Sequence, residues 1–237
     1  MIRTLIFIPV AIIDTIISAL IALVGGIFNP YSSFNNAVTR MWARILLISA
    51  GIKMEVVGRE NIQAGESYIV VANHQSQMDI PVVMVAIPLP LKFMAKKELF
   101  GVPFLGWGMK GVGMLKIDRG NTKQAIATLK DAENLIRLHQ LSILAFPEGT
   151  RSLNGKMKPF KKGAFVLAIN TGLPVLPVSI SGTRKISPKG KKRIRSGRVK
   201  VVIHLPLPIS EKEYENRGNL ADKTHQIIAE GFIENYE

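Results

Sequence analysis

The heptad NHQSQMD, residues 73–79, holds the first pair of side chains that could do chemistry: a titratable base, His74, and a carboxylate five positions on, Asp79. On a continuous helix that spacing sets the two about 140° apart, so they meet only if the chain turns back between them. Asn73, Gln75, Ser76 and Gln77 are loop-forming types, and Pro81 near a helix start makes Asp79 a candidate N-cap. Two readings fit the heptad. In one, Asp79 caps a helix and His74 is an ordinary loop residue. In the other, the Asp79 carboxylate takes the Nδ1 proton of His74, fixes the tautomer, leaves Nε2 as a general base and stabilises the imidazolium. No activated Ser or Cys stands within the motif, so the nucleophile of the second reading is a substrate hydroxyl.

A second candidate is FPEGTRS, residues 146–152, directly after an apolar run. Strand ends of this kind carry ligands in α/β sheets. Glu148 and Arg151 together suit a polar head, the first as an acceptor for hydroxyls and the second as a bidentate donor to phosphate. A plain turn with a local Glu–Arg pair is the competing reading. A third candidate is GMLKIDR, residues 113–119, where Arg119 at a strand end makes a second phosphate clamp if the sites converge. The other histidines, His139, His204 and His225, sit in regular helix or strand patterns. No His-x3-His pair supports a metal site, and no G-x-S-x-G elbow supports a serine hydrolase.

The elements that must position these residues follow from periodicity. Short apolar runs at Met54–Val57, Tyr68–Ala72, Leu91–Ala95, Met114–Ile117, Ser142–Phe146, Val175–Ile180 and Val199–His204 read as strands. Several lack two-residue alternation, as in a sheet covered on both faces. Helical patterns at Thr122–Leu138, capped by Asn121 or Thr122, at Phe160–Asn170 and at Leu220–Glu234 lie between or after them. The expected fold is α/β, with a mixed, mostly buried central sheet flanked by helices.

The chain has 237 residues, a net charge of +14, no cysteine and a mean hydropathy of +0.22. The charge points to anionic partners, and the missing cysteines exclude disulfides, thiolate nucleophiles and cysteine zinc sites. Apolar residues concentrate in Leu5–Phe28, where Asp14 is the one charge. As a helix this run reaches roughly 36 Å, enough to span a bilayer. Val38–Ile52 follows as a second amphipathic stretch. A signal peptide and a buried hairpin of a soluble protein are the competing readings, the first weakened by the run's length and the lack of an A-x-A site. The preferred expectation is a two-helix membrane anchor at residues 1–53 and an α/β domain at 54–237. A central acid suits a helix lying in one leaflet better than a simple span. The excess of Lys/Arg after the anchor favours the cytoplasmic face of the cell membrane. A basic stretch, TRKISPKGKKRIRSGR at residues 183–198, holds eight Lys/Arg. It lacks aromatic residues for base stacking, so an anionic membrane surface, an acidic carrier protein or the phosphates of coenzyme A fit it better than nucleic acid.

Taken together, these blocks resemble the glycerolipid acyltransferase family, in particular its lysophosphatidic acid branch. Its N-H-x4-D hallmark matches Asn73 to Asp79. A Gly…Asp-Arg strand matches Gly113 to Arg119, a Phe-Pro-Glu-Gly-Thr-Arg block matches Phe146 to Arg151, and an apolar Pro-rich strand matches LPVLPV at residues 173–178. KKELFGVPFLGWGMKGVG and PFKKGAF also fit, and the ordered match covers residues 55–182. Lys116 departs from the family's usual apolar or aromatic residue. The resemblance implies acyl transfer from a thioester, acyl-CoA or acyl carrier protein, to the sn-2 hydroxyl of lysophosphatidic acid, giving phosphatidic acid without an acyl-enzyme. It implies His74 as base, Asp79 as its orienter, and Arg119, Glu148, Gly149, Thr150 and Arg151 as the phosphate- and glycerol-binding set. It implies no metal or bound cofactor. The alternatives are another acceptor, such as glycerol 3-phosphate or a different lysolipid, and, outside the class, a non-catalytic basic membrane-binding protein.

Overall fold

A computed structural model describes residues 2–118, 120, 122–191, 193–209 and 217–236. The chain opens with a helical hairpin, α1 (Ile2–Phe28) and α2 (Ser33–Ala50). Ser32 caps α2 by accepting from the Asn35 amide at 3.2 Å, and Gly51 ends it in the left-handed region at φ 69°. The strands are β1 (Ile52–Val57), β2 (Ile69–Ala72), β3 (Leu91–Lys96), β4 (Leu115–Ile117), β5 (Ser142–Ala145), β6 (Val175–Ser181) and β7 (Gly197–Ile203). Further helices are α3 (Asp79–Ala86), α4 (Leu105–Gly111), α5 (Thr122–His139), α6 (Gly163–Thr171), the single turn α7 (Thr183–Ile186) and α8 (Arg217–Gly231).

All seven apolar runs are strands of one sheet, ordered β1-β7-β6-β2-β5-β3-β4. It is parallel except where β6 meets β7. The central strands β2, β5 and β6 are buried along their whole length, which is why their sequences run apolar without alternation. Alternate residues serve two layers. Val70, Ala72, Leu144 and Val178 pack with Leu46, Val82 and Val83 of α2 and α3. Ile69, Val71, Ile143 and Val175 pack with Ile136, Phe165, Leu167 and Ile228 of α5, α6 and α8.

The hairpin is part of this core. Phe7, Ala43 and Leu47 join the layer under α3. The Asn35 side chain donates to Gly111 O at 3.0 Å, and Trp42 Nε1 donates to Thr15 Oγ1 at 3.1 Å. Outward, α1 presents Leu5, Ile12, Ile13, Ile17, Leu20 and Val24. It is long and apolar enough to cross a membrane. Of the two expected caps of α5, Thr122 is the helix's first residue and Asn121 lies outside the described residues. The basic stretch is the connection between the antiparallel β6 and β7, with α7 at its start.

Candidate active site

The strands β2, β5 and β6 are parallel neighbours, so their carboxyl ends open on one edge of the sheet, the usual place for a ligand in such a fold. From that edge come His74 after β2, Glu148 after β5 and Thr183 after β6.

Asn73 fixes the exit from β2. Its buried amide donates to Ile180 O at 2.9 Å and accepts from Ile180 N at 2.8 Å, continuing the β2–β6 ladder by one side chain. His74 is then held on every side. Its N–H donates to Glu148 Oε1 at 2.7 Å, and its carbonyl accepts from Ser152 N at 3.0 Å. Its ring stacks on Phe146 at 4.2 Å and 22°. Its Nδ1 lies 2.8 Å from Asp79 Oδ2, and the side chain keeps 14% exposure.

Asp79 is fully buried. Oδ2 also accepts from the Gln75 and Ser76 amides at 2.6 and 2.8 Å, and Oδ1 accepts from Thr183 Oγ1 at 2.5 Å. The two amides and the Thr183 hydroxyl all donate, which suits an acceptor-only carboxylate and so the tautomer with the shared proton on Nδ1. Among the described residues nothing bonds Nε2. The pairing the heptad left open is therefore made, and the capping reading is corrected. Asp79 is the first residue of α3, Met78 occupies the cap without a side-chain bond, and the carboxylate faces back into the loop. The loop's backbone amides compete successfully for it because they point inward within three to four residues.

Glu148 is buried, with Oε2 accepting from Lys158 N at 3.1 Å. Burial pushes its carboxyl above the usual range, against the two amides that pull it down. Both oxygens are thus turned to backbone, and the one contact with the pair is through the His74 amide. Thr150 Oγ1 accepts from Lys189 Nζ at 2.9 Å, and the Arg151 carbonyl accepts from the same ammonium at 3.0 Å. Gly149 follows Glu148 in the left-handed region at φ 74°. Arg151 is half-buried on this loop. Arg119 lies outside the described residues. Its neighbour Asp118 follows the parallel β4 and binds Lys97 at 2.6 Å.

Sequence reasoning assigned no chemistry to Thr183, Ser76 or Phe146. Ser76 Oγ donates to Ser187 O at 2.8 Å, so the β6–β7 connection seals one side of the loop. One signal for Thr183 exists. It follows a fully buried strand and Gly182, whose φ of 95° and 2.3 Å clearance from Arg198 O for an added Cβ admit no side chain. A hydroxyl at that strand end matches the placement of His74 and Glu148.

The family model described as Acyltransferase matches residues 53–181. A chloroplastic 1-acyl-sn-glycerol-3-phosphate acyltransferase of Brassica napus is 35% identical over 207 residues, 86% of this chain and 58% of that protein. The 1-acyl-sn-glycerol-3-phosphate acyltransferase of Saccharomyces cerevisiae is 40% identical over 153 residues, 63% of this chain and 50% of that protein. The chain thus spans little more than half the length of these curated relatives. The crystal structure of the 1-acyl-sn-glycerophosphate (LPA) acyltransferase PlsC from Thermotoga maritima matches with a TM-score of 0.81 at 29% identity, covering 97% of this chain and 93% of that one.

Proposed function

The chain belongs to the acyltransferase family, and from that membership we propose that it is a membrane-bound lysophosphatidic acid acyltransferase. It moves a fatty acyl group from acyl-CoA or acyl carrier protein to the sn-2 hydroxyl of lysophosphatidic acid, giving phosphatidic acid. The observation that carries this reading is the 2.8 Å His74–Asp79 pair with Nε2 free. Nε2 takes the acceptor's hydroxyl proton as the oxygen attacks the thioester carbonyl. The tetrahedral intermediate collapses, the C–S bond breaks, and the imidazolium returns its proton to the thiolate. Asp79 holds the ring and offsets its transient charge. Arg151, with Arg119 from the sequence motif, takes the acceptor phosphate. Gly149 and Thr150 shape that loop.

The membrane reading rests on the outer face of α1 and on how α1 is attached. Thr4 Oγ1 accepts from Ile194 N at 3.0 Å near one end, Phe7 is in the core, and Gly26 meets Gly111 near the other. A helix tied to the α/β domain along its length lies in one leaflet, since spanning the bilayer would drag the domain's polar surface into hydrocarbon. Arg3 precedes Thr4, and exposed Arg193 and Arg195 flank its partner Ile194, which suits anionic headgroups. The excess of positive charge after α1 supports the cytoplasmic face.

The test is acyl transfer by purified protein in detergent, with a panel of lysolipids and glycerol 3-phosphate offered to both donor types. Transfer to lysophosphatidic acid is expected, and His74→Ala is expected to lose at least ~100-fold in kcat. Arg151→Ala is expected to raise KM for the phosphate-bearing acceptor more than it lowers kcat. Preference for another acceptor replaces the substrate named here, and no transfer at all favours a basic membrane-binding protein.

A further inference from the structure

The stretch KKELFGVPFLGWGMK, residues 96–110, has no part in the pair described above; Lys97 is paired with Asp118, but the segment's outer apolar side chains stay open among the described residues. Between Lys96 and Pro103 every residue but Phe100 is exposed. Leu99, Val102 and Trp107 are exposed at 38%, 44% and 44%. Single exposed apolar residues are ordinary, but three within nine positions form a patch. Behind the patch Phe104 meets the Trp107 ring edge-on at 4.9 Å and lines an apolar cavity with Ala19, Trp42 and Met109. Lys96, Lys97 and Lys110 flank the patch, and Glu98 is the one acid within the segment.

The patch is continuous with the outer face of α1. Gly108 leaves only 3.0 Å between an added Cβ and the Ala19 side chain, and Gly111 leaves 2.6 Å to Ala22 O. At Gly26 an added Cβ would lie 2.5 Å from Gly111 O. Helices this close share their depth in any medium, because neither can shift along the common normal without breaking backbone contact. Immediately beside these contacts α1 exposes Leu20, Ile21 and Val24.

We propose that residues 99–107 enter the same lipid leaflet as α1, so that the α/β domain makes its own membrane contact through Leu99, Val102 and Trp107. This rests on the leaflet reading of α1 and deepens it. The occupant is the headgroup–acyl boundary of an anionic phospholipid leaflet. Trp favours that depth, the aliphatic residues reach below it, and the flanking lysines stay at headgroup level. The catalytic domain is thereby held at a fixed height, and the lipid acceptor need not leave the membrane to meet His74.

The absence of native cysteine allows single nitroxide labels at Val102→Cys, at Ile12→Cys on the outer face of α1 and at Leu138→Cys on the exposed side of α5. Each full-length protein is reconstituted into phosphatidylcholine–phosphatidylglycerol vesicles, and relaxation by oxygen and by an aqueous nickel complex is compared. The label at 102 is expected to behave as the label at 12, relaxed by oxygen and shielded from nickel, while the label at 138 reads as water. A water-like label at 102 with a lipid-like label at 12 overturns this inference and leaves the α1 anchor standing. Water-like labels at both positions overturn both. In parallel, Trp42→Phe leaves Trp107 as the sole tryptophan. Brominated lipid is expected to quench it, and vesicle-bound protein whose Trp107 emission ignores the bromines counts equally against the inference.

Discussion

Of the donors converging on Asp79, one is the His74 ring and the rest belong to scaffolding: two loop amides and the Thr183 hydroxyl. The amides come from the same loop and follow from its fold. Thr183 comes from 104 positions away and, among the described residues, is the tether that joins Asp79 to the end of β6. Thr183→Val keeps the shape and removes that donor, leaving Oδ1 buried without a partner, a loss of about 1–3 kcal/mol. If the lost bond is felt mainly where the imidazolium forms, kcat is expected to fall roughly tenfold to a hundredfold. KM for the acceptor should move little, and Thr183→Ser should restore most of the rate. A Val variant with wild-type kcat would remove Thr183 from the positioning of Asp79. At this scale the sequence was informative about types and poor about partners. His74 and Asp79 stand out because a base and an acid sit close in a loop. Glu148 stood out for the same reason, as a group for reading a polar head. In the fold its two oxygens are turned to the His74 and Lys158 amides, a use no residue type announces.

Among the elements, the strands were the most legible, because β2, β5 and β6 are covered on both faces and their sequences are apolar but for Ser142, Ser179 and Ser181. The helix α4 was not. Three of its seven residues are glycine, which weakens any helical reading. Gly108 and Gly111 are there for the approach to α1 and Gly106 for the approach to the Phe100 backbone, so they report packing, not propensity. β3 hides a different feature. Lys92 is buried, with Nζ donating to Asn36 Oδ1 at 2.8 Å and lying over the Tyr31 ring at 5.8 Å. It joins the sheet to the turn of the helical hairpin. Burial pulls its ammonium from 10.5 down to about 8. Below pH 8 both the folded and unfolded chains carry the proton and the folded state bears the full cost of burying it. Between about pH 8 and 10.5 the folded chain has released the proton and the unfolded chain still holds it, so the native state gains stability as pH rises. Relative to Lys92→Met, which has no proton to lose, the wild type is expected to gain up to about 3 kcal/mol across that window. Thermal unfolding of both proteins in detergent at a series of pH values measures it. Parallel curves would mean that Lys92 titrates in the fold as it does in water.

At the scale of the whole molecule, the β6–β7 connection is the part least readable from sequence, since its order comes from contacts across the chain. Thr183 holds Asp79, Ser187 takes the Ser76 hydroxyl, and Lys189 binds the loop of Thr150 and Arg151. Ile194 then meets Thr4, 190 positions earlier, at the start of α1. One basic segment therefore touches the His74 loop, the loop of Thr150 and Arg151, and α1. Its composition announced only charge. Its course separates that charge into two uses, with Lys189 directed inward to the site and Arg193 and Arg195 exposed on either side of buried Ile194. If the outer pair meets anionic headgroups, each guanidinium near the surface contributes about 1 kcal/mol. Arg193→Gln with Arg195→Gln is then expected to weaken retention on phosphatidylglycerol-containing vesicles by roughly 30-fold at limiting lipid. Retention on phosphatidylcholine alone should be unchanged, because the apolar face of α1 is untouched. The difference should shrink as salt shortens the range of surface charge to about 8 Å at physiological ionic strength. Acyl transfer in detergent should persist, since neither arginine touches the His74 loop. An equal loss on both vesicle types would point to damage at the Thr4–Ile194 contact, and no loss on either would leave the outer arginines without a part in holding the protein to the leaflet.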